Sequence, residues 1–278
     1  IQVSLLWPHI FKLNHQINFC HTSFKWGNNA KANAGVSVVI IGISNEYYSK
    51  TKCIYNGSSF KIVDNINPYL VDSKNLIIEN RFKPLSEIPE ITLGNAPKDN
   101  GGLIISEFEY ENFLKEQPKI GKYIKKYIGA DEFINSYDRF CFWIKDSELN
   151  SAIEFPEIKR RLEIVKQFRL TSKKIPTQKL AQYPHRFGEI RYFESNSIIV
   201  PSVTSERRDF LPIGFLDKNC IISNSAFAVY DSSLWVFALL SSTMQMLWLK
   251  SVAGRLESRL RYSSQLVYNT FPFPNISE

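Results

Sequence analysis

The chain has 278 residues, with 34 Lys and Arg against 27 Asp and Glu for a formal charge of +7. Hydrophobic residues make up 44% and charged residues 22%, with only 12 Gly and 13 Pro, which excludes a disordered chain, a collagen-like repeat and a low-complexity tail. Aromatics at 14% can fill a large core, and the length fits one large domain or two small ones. The sequence starts at Ile1 and its only methionines are Met244 and Met246, so it reads as a piece of a longer protein.

In chain order, a helix is expected after Pro8. Phe24–Trp26 and Val36–Ile43 read as two strands with small residues between them. The second is nearly continuous and β-branched, as in a strand buried on both faces. The polar stretch Ser44–Ser59 reads as a boundary, giving a first domain over 1–44 and a second over 45–274. Short strands follow around Lys61–Val63 and Leu76–Ile78, then the turn-rich loop GNAPKDNGG (Gly94–Gly102) and a strand at Leu103–Ser106. Ser106 is placed to cap a helix over Glu107–Lys115, with Glu109 completing a capping box. Ile120, Tyr123, Ile124 and Tyr127 have helical spacing within Pro118–Ile128. Arg139–Lys145 reads as a strand in which Phe140, Phe142 and Trp143 are core. Pro156–Leu170 reads as a helix with Ile158, Leu162, Val165 and Phe168 on its apolar face. Ser197–Pro201, Ile221–Ser223 and Ala226–Val229 read as strands, and Leu234–Val252 as one buried helix. That helix is too interrupted by Ser241, Ser242, Thr243 and Gln245 to cross a membrane. Arg255–Tyr262 alternates charged and apolar residues with the period of one extended strand.

The positive charge is concentrated. Glu154–Arg191 holds ten basic residues against four glutamates. Such a run is either a solvated helix face or a surface that neutralises phosphates. Cys20, Cys53, Cys141 and Cys220 lie far apart with no C-x-x-C, and the four histidines have no ligand spacing. Reduced thiols in a cytoplasmic protein are expected, with no structural metal. No dinucleotide, P-loop, zinc-protease or nucleophile-elbow motif is present, and no catalytic residue is assigned. The residues alone describe an α/β, more specifically α+β, basic chain.

Ordered blocks along the chain add a likeness. SFKWGNNAKANAGVSVVIIGI (Ser23–Ile43), NPYLV (Asn67–Val71), GNAPKDNGG, GADEFINSYDRFCFWI (Gly129–Ile144), PSVTSERRDFLPIGF (Pro201–Phe215), ISNSAFAVYD (Ile222–Asp231), LLSSTMQMLWLKSVAGRLESRLRYS (Leu239–Ser263) and LVYNTFPFP (Leu266–Pro274) cover nearly all of it. Together they resemble the MmeI-like branch of adenine-specific DNA methyltransferases, found in single-chain type IIG/IIL restriction–modification enzymes. The likeness departs at Gln245, where the family has His, at Ser136, where it has Gly, and at Lys98–Gly102, which carries an extra residue.

The resemblance implies the terminal β-hairpin of a class I methyltransferase fold over 1–44, then a mixed α/β target recognition domain over 45–274, with 275–278 starting a linker. It places the S-adenosylmethionine-binding and N-P-P-[FY] motifs before Ile1. The chain itself would bind no cofactor, while the parent would use S-adenosylmethionine, and Mg2+ if it carries a nuclease. The partners implied are double-stranded DNA and the missing methyltransferase domain, with no membrane.

On this view Glu257 and Arg259 read one C·G pair, Glu accepting from cytosine and Arg donating to guanine O6 and N7. A self-neutralising charged strand is the alternative. Arg261, Asn224, Ser225, Glu206 and Arg207 are further candidates for base contact, although Asn224 also suits a plain turn. Lys159, Arg160, Lys166, Arg169, Lys173, Lys174 and Arg208 are candidates for phosphate contact. Lys25 and Trp26 read as packing residues of the hairpin. The rival function is a protein-interaction or scaffolding module without base contacts.

Overall fold

The computed structural model describes residues 3–27, 37–45, 51–256 and 259–274. In chain order the elements are α1 (Val3–Lys12), β1 (His15–Lys25), β2 (Ser37–Asn45), β3 (Lys52–Asn56), β4 (Ser59–Val63), β5 (Ile91–Leu93), β6 (Ile104–Ser106), α2 (Glu107–Glu116), β7 (Ile124–Ile128), α3 (Ala130–Asn135), β8 (Arg139–Phe142) and α4 (Leu149–Ala152). They continue with α5 (Pro156–Leu170), α6 (Ile175–Lys179), β9 (Ser197–Pro201), β10 (Val203–Ser205), β11 (Gly214–Leu216), β12 (Cys220–Ile222), β13 (Ala226–Tyr230), α7 (Leu234–Leu240), α8 (Thr243–Val252), β14 (Gly254–Leu256) and β15 (Arg259–Arg261). The chain divides into two compact units, one of Ile1–Ile88, Val203–Leu211 and Ser242–Glu278, the other of Pro89–Ser202 and Pro212–Ser241.

The first unit holds two sheets. One has the order β2-β1-β3-β4, the other β10-β15-β14. Helix α1 lies on the inner face of the larger sheet, where Trp7, Ile17, Cys20, Val63 and Ile66 form a core. Pro8 falls inside α1 rather than before it. The sheet runs past Asn45, since β3 pairs parallel to β1 and β4 antiparallel to β3. The polar stretch at Ser44–Ser59 therefore does not end the sheet. Leu76–Ile78 forms no strand. Instead, residues 81–86 follow the C-terminal segment: Arg81 and Leu85 N–H donate to Gln265 and Asn269 carbonyls at 3.0 and 2.8 Å, and Ser86 Oγ to the Phe273 carbonyl at 2.8 Å.

The second unit holds the sheets β11-β9-β13-β5 and β12-β7-β8-β6. Leu103, Ile105, Tyr123, Phe140, Phe142, Ile158, Leu162 and Val165 are among its core residues. Phe140 and Phe142 are buried as expected, while Trp143 packs partly exposed on the same core. Ser106 caps α2 with the full reciprocal box to Glu109. The helical spacing at Pro118–Ile128 is misleading: a 3-10 turn over Pro118–Tyr123 leads into β7. Ile124–Ile128 pairs with β8 on one side and β12 on the other, and sheet pairing overrides local periodicity. Leu234–Val252 is two helices, broken where Ser242 caps α8 through the Gln245 N–H. Among the described residues no helix is long and apolar enough to cross a membrane.

Helix α5 is where the sequence reading needs most correction. Its buried face is Ile158, Arg161, Leu162, Val165 and Arg169, while Phe168 is 37% exposed. Arg169 has no solvent exposure. Its Nε donates to the Lys98 carbonyl at 3.0 Å, Nη1 to Leu180 and Tyr183 carbonyls at 3.1 and 2.9 Å, and Nη2 to Pro97 and Arg186 carbonyls at 2.9 and 2.7 Å. All five guanidinium N–H groups are used. They hold a loop whose Lys98, Asn100 and Gly101 take positive φ. Gly102 lets that loop lie on α5, where a Cβ would stand 2.6 Å from Val165 Cγ2.

Removing Arg169 leaves buried carbonyls without donors. Arg169→Met is expected to cost about 3–5 kcal/mol in denaturant unfolding, whereas Lys166→Ala on the exposed face stays within about 0.5 kcal/mol.

Candidate nucleic-acid interface

Arg255–Tyr262 is not one strand. β14 and β15 pair antiparallel with Leu256 opposite Arg259 and Arg255 opposite Leu260, so the chain folds back on itself. β10 adds on the far side, with Val203 opposite Arg261, Thr204 opposite Leu260 and Ser205 opposite Arg259. Residues directly opposite share a face. One face carries Leu260 and Thr204, both buried, together with Arg255. The other carries Val203, Ser205, Leu256, Arg259 and Arg261, and the last three are exposed. Leu256 thus changes sides relative to the single-strand reading. Glu257 lies outside the described residues.

Beyond β10 the chain turns sharply. Ser205 Oγ accepts from Arg207 N–H at 3.2 Å, and its carbonyl accepts from Arg208 N–H at 3.3 Å. Arg207 and Arg208 are exposed. Glu206 pairs with Arg255, which sequence reasoning gave no partner. Both are partly exposed, so this pair is worth little stability, but it occupies the Glu206 carboxylate. Arg259, Arg261, Glu206, Arg207 and Arg208 therefore gather on one small sheet of one unit. Lys25 and Trp26 lie exposed at the end of β1 rather than packed, Trp26 at 52%.

Asn224 and Ser225 belong to the other unit, in the turn between β12 and β13. Asn224 donates its N–H to the Asn95 carbonyl at 3.1 Å and leaves its side chain exposed. Ser225 Oγ accepts from Ala130 N–H at 2.9 Å and lies 2.8 Å from Ser223 Oγ, so its hydroxyl helps hold the start of α3.

Of the basic cluster, half is already engaged. Arg161 is buried, paired with Glu109 and, at 2.8 Å, with Glu157. Arg160 forms a two-pronged pair with Glu157 at 2.9 and 2.7 Å. Arg186 and His185 share Asp146, and Arg191 meets Glu189 at 2.5 Å. Arg169, expected at a phosphate, is the interior carbonyl clamp and cannot reach one. Lys159, Lys166, Lys173 and Lys174 are exposed and pair with no carboxylate among the described residues. A shallow groove of about 910 Å³ runs along α5, with Ile164 and Phe168 in its lining beside Lys159 and Arg160.

Cys20, Cys53, Cys141 and Cys220 form no disulfide here, and three of them are buried. Burial pushes the Cys220 thiol up to about 11, so it is protonated near neutral pH. The described residues contain no group of three or more His, Cys, Asp or Glu that could hold a metal. Nor does the sequence contain a glycine-rich loop of the kind that cradles a nucleotide cofactor.

Comparison with known proteins gives a consistent set of matches. The family model "MmeI, target recognition domain" matches residues 72–275, and "MmeI, DNA-methyltransferase domain" matches residues 1–56. DNA methyltransferase A of Bacillus subtilis (strain 168) is 41% identical over 276 residues, covering 99% of this chain and 31% of that protein. A solved structure of the type IIL restriction–modification enzyme MmeI in complex with DNA is 39% identical, with a TM-score of 0.89 over 100% of this chain and 38% of its own. The chain thus spans about a third of the length of these relatives.

The Asp146 cluster gives a pH prediction. Hydrogen bonds from Arg186 first, and then His185, hold its carboxyl at about 2, below its ordinary 3.8. A depressed carboxyl contributes stability that is complete above its unfolded value and lost as pH falls through its folded one. Unfolding midpoints of Asp146→Asn should therefore lie below wild type at pH 6, with the gap closing between about pH 4 and pH 2.

Proposed function

The chain belongs to the MmeI family of restriction–modification DNA methyltransferases, with residues 72–275 its target recognition domain, and on that premise we propose how it selects DNA. Arg259 and Arg261 read base edges in the major groove from the exposed face of the β10-β15-β14 sheet. The observation that carries this is their placement two residues apart on one open face, with Arg207 and Arg208 on the adjoining turn. Arg donates two parallel bonds to guanine O6 and N7, and a two-stranded ribbon fits the width of that groove. Glu257, by its sequence position, supplies the acceptor for the paired cytosine. Asn224 offers an adenine-reading amide from the second unit. Glu206 and Ser225 act indirectly, Glu206 by fixing Arg255 and Ser225 by fixing the turn.

Lys159, Lys166, Lys173, Lys174 and Arg208 carry the sequence-independent part of binding by neutralising phosphates. Arg160 contributes less because Glu157 already engages its guanidinium. The longer protein to which this segment corresponds would transfer a methyl group from S-adenosylmethionine to the amino group of a flipped adenine in the cytoplasm. The methyl donor would be held by a methyltransferase domain beyond these residues, and Mg2+ would serve a nuclease if one is attached. This chain's own part is to hold the duplex in register. A protein-contact role is favoured for one place only, the apolar floor of the α5 groove at Ile164 and Phe168.

Anisotropy titrations of the chain with duplex DNA over a range of salt test the phosphate assignment. Changing Lys159, Lys166, Lys173 and Lys174 to Ala should weaken binding to every sequence and flatten the slope of log K against log salt by about 0.9 per lost contact. An unchanged slope places α5 away from DNA and favours protein contact for it. Selection from a random duplex pool tests the readers. Arg259→Ala should relax the preference at one base pair, a cost of about 1–3 kcal/mol at that position alone. In the longer enzyme, Glu257→Lys with Arg259→Asp should turn a C·G preference into G·C, and an unaltered methylation pattern counts against the pair.

A further inference from the structure

The turn after β10 is held more firmly than a surface connection requires. Ser205, the last residue of β10, stands opposite Arg259 in the ladder, so the turn starts one residue beyond a proposed reader. The Ser205 hydroxyl accepts from Arg207 N–H at 3.2 Å, and its carbonyl from Arg208 N–H at 3.3 Å. Glu206 is tied to Arg255 of β14 by an ion pair. At the far end Leu211 is buried. Between these anchors Arg207, Arg208, Asp209 and Phe210 are all exposed, Phe210 at 55%. The whole of Val203–Leu211 belongs to the unit that holds Arg259 and Arg261.

A lone exposed phenylalanine is ordinary on a protein surface. The setting of this one is not. Phe210 follows Arg207 and Arg208 by three and two residues. Bonds at the base of the turn already order it, so little conformational entropy remains to be lost when it meets a ligand. Two arginines against one aspartate leave the exposed residues net positive, which suits a polyanion. A phenyl ring offers a phosphate no hydrogen bond, but it gains by stacking on a base. A rigidly mounted ring with cations beside it has the parts of a wedge that enters a duplex between base steps.

We propose that Phe210 is such a wedge: it enters the base stack next to the pairs read by the β10-β15-β14 sheet, while Arg208 holds a neighbouring phosphate. The proposal rests on the recognition reading above and adds a contact with the stack to the contacts with base edges. Opening an average base step costs about tenfold in affinity. Pyrimidine–purine steps open more easily, so the wedge discriminates among duplexes at a place where no side chain bonds to a base edge. The same opening begins the unstacking that a base must undergo before it can leave the duplex for chemistry.

The test scans a duplex that the wild-type chain selects from a random pool. 2-Aminopurine replaces each adenine in turn, and pyrrolocytosine each cytosine, so every base pair carries a probe that brightens when unstacked. Wild type should brighten the probes at one base step and leave the others unchanged. Phe210→Ala should brighten none, and Phe210→Trp, which keeps a flat ring, should restore the signal at the same step. Both variants should melt like wild type, since the ring is exposed. Phe82→Ala, at an exposed site elsewhere in the same unit, should behave as wild type. A mismatch at the opened step removes most of the stacking cost in advance, so wild type should bind it about tenfold more tightly than the matched duplex. Phe210→Ala should bind the two alike. A wild type that brightens no probe overturns the proposal, as does a signal that Phe210→Ala retains. Wild type without a preference for the mismatch overturns it whatever the variants do. Replacing guanines with an analogue that lacks N7 keeps the two readings apart. Wild type sensitive to N7 that brightens no probe loses the wedge and keeps the readers. Wild type that opens one step yet is insensitive at every guanine loses the readers and keeps the wedge.

Discussion

A single buried guanidinium organises the second unit. Arg169 faces five carbonyl oxygens from two separate stretches, Pro97–Lys98 and Leu180–Arg186, and no carboxylate bonds to it. Burial lowers its pKa below the ordinary arginine value, and the nearby Asp99 opposes that shift. Five aligned carbonyl dipoles take the place of the water an arginine would otherwise need. The Pro97–Lys98 loop and the segment that opens with the 3-10 turn Leu180–Gln182 are thereby fixed to the end of α5. The consequence reaches the surface: the helix is set with Lys159, Lys166 and the groove outward, and with Arg161 inward against Glu109 and the Ile104 carbonyl.

That arrangement explains what the sequence concealed. A helix reading by apolar period assigns Phe168 to the core and treats arginines as surface charge. Here Arg161 and Arg169 take core positions, and Phe168 is released outward. No composition rule separates an arginine that meets phosphates from one that meets carbonyls, because the distinction depends in part on a loop 71 and 72 residues away in the chain. The second concealed feature is the β14–β15 hairpin. Leu256 pairs with Arg259 although the sequence there has no Asn-Gly or Asp-Gly pair of the kind that usually marks a tight hairpin, so the alternation looks unbroken. The positions of Arg259 and Arg261 on one face were legible nonetheless, since two-residue spacing survives the change of strand.

Other features could be read because they depend on short-range chemistry. The Ser106–Glu109 box, the Pro-initiated α5 and the inward Phe140 and Phe142 all follow from neighbours within a few residues. The departures from the family pattern also have local explanations. Ser136 sits at the C-cap of α3 with φ of 56°, a left-handed position that glycine occupies without strain. Gln245 is fully buried and donates to Tyr262 Oη at 3.1 Å, so it packs inside the first unit and reads no base. The proposed readers Arg259 and Arg261 lie on a small open sheet, while the larger basic stretch is half structural.

The proposed readout requires Arg259 to donate to a guanine in the major groove. The most direct measurement replaces each guanine of a selected duplex, one at a time, with 7-deazaguanine, which lacks the N7 acceptor. Wild-type chain should lose about tenfold in affinity at one guanine, and Arg259→Ala should be indifferent to that same replacement. Equal sensitivity of wild type and variant at every guanine would contradict the account and turn the β10-β15-β14 sheet away from the bases.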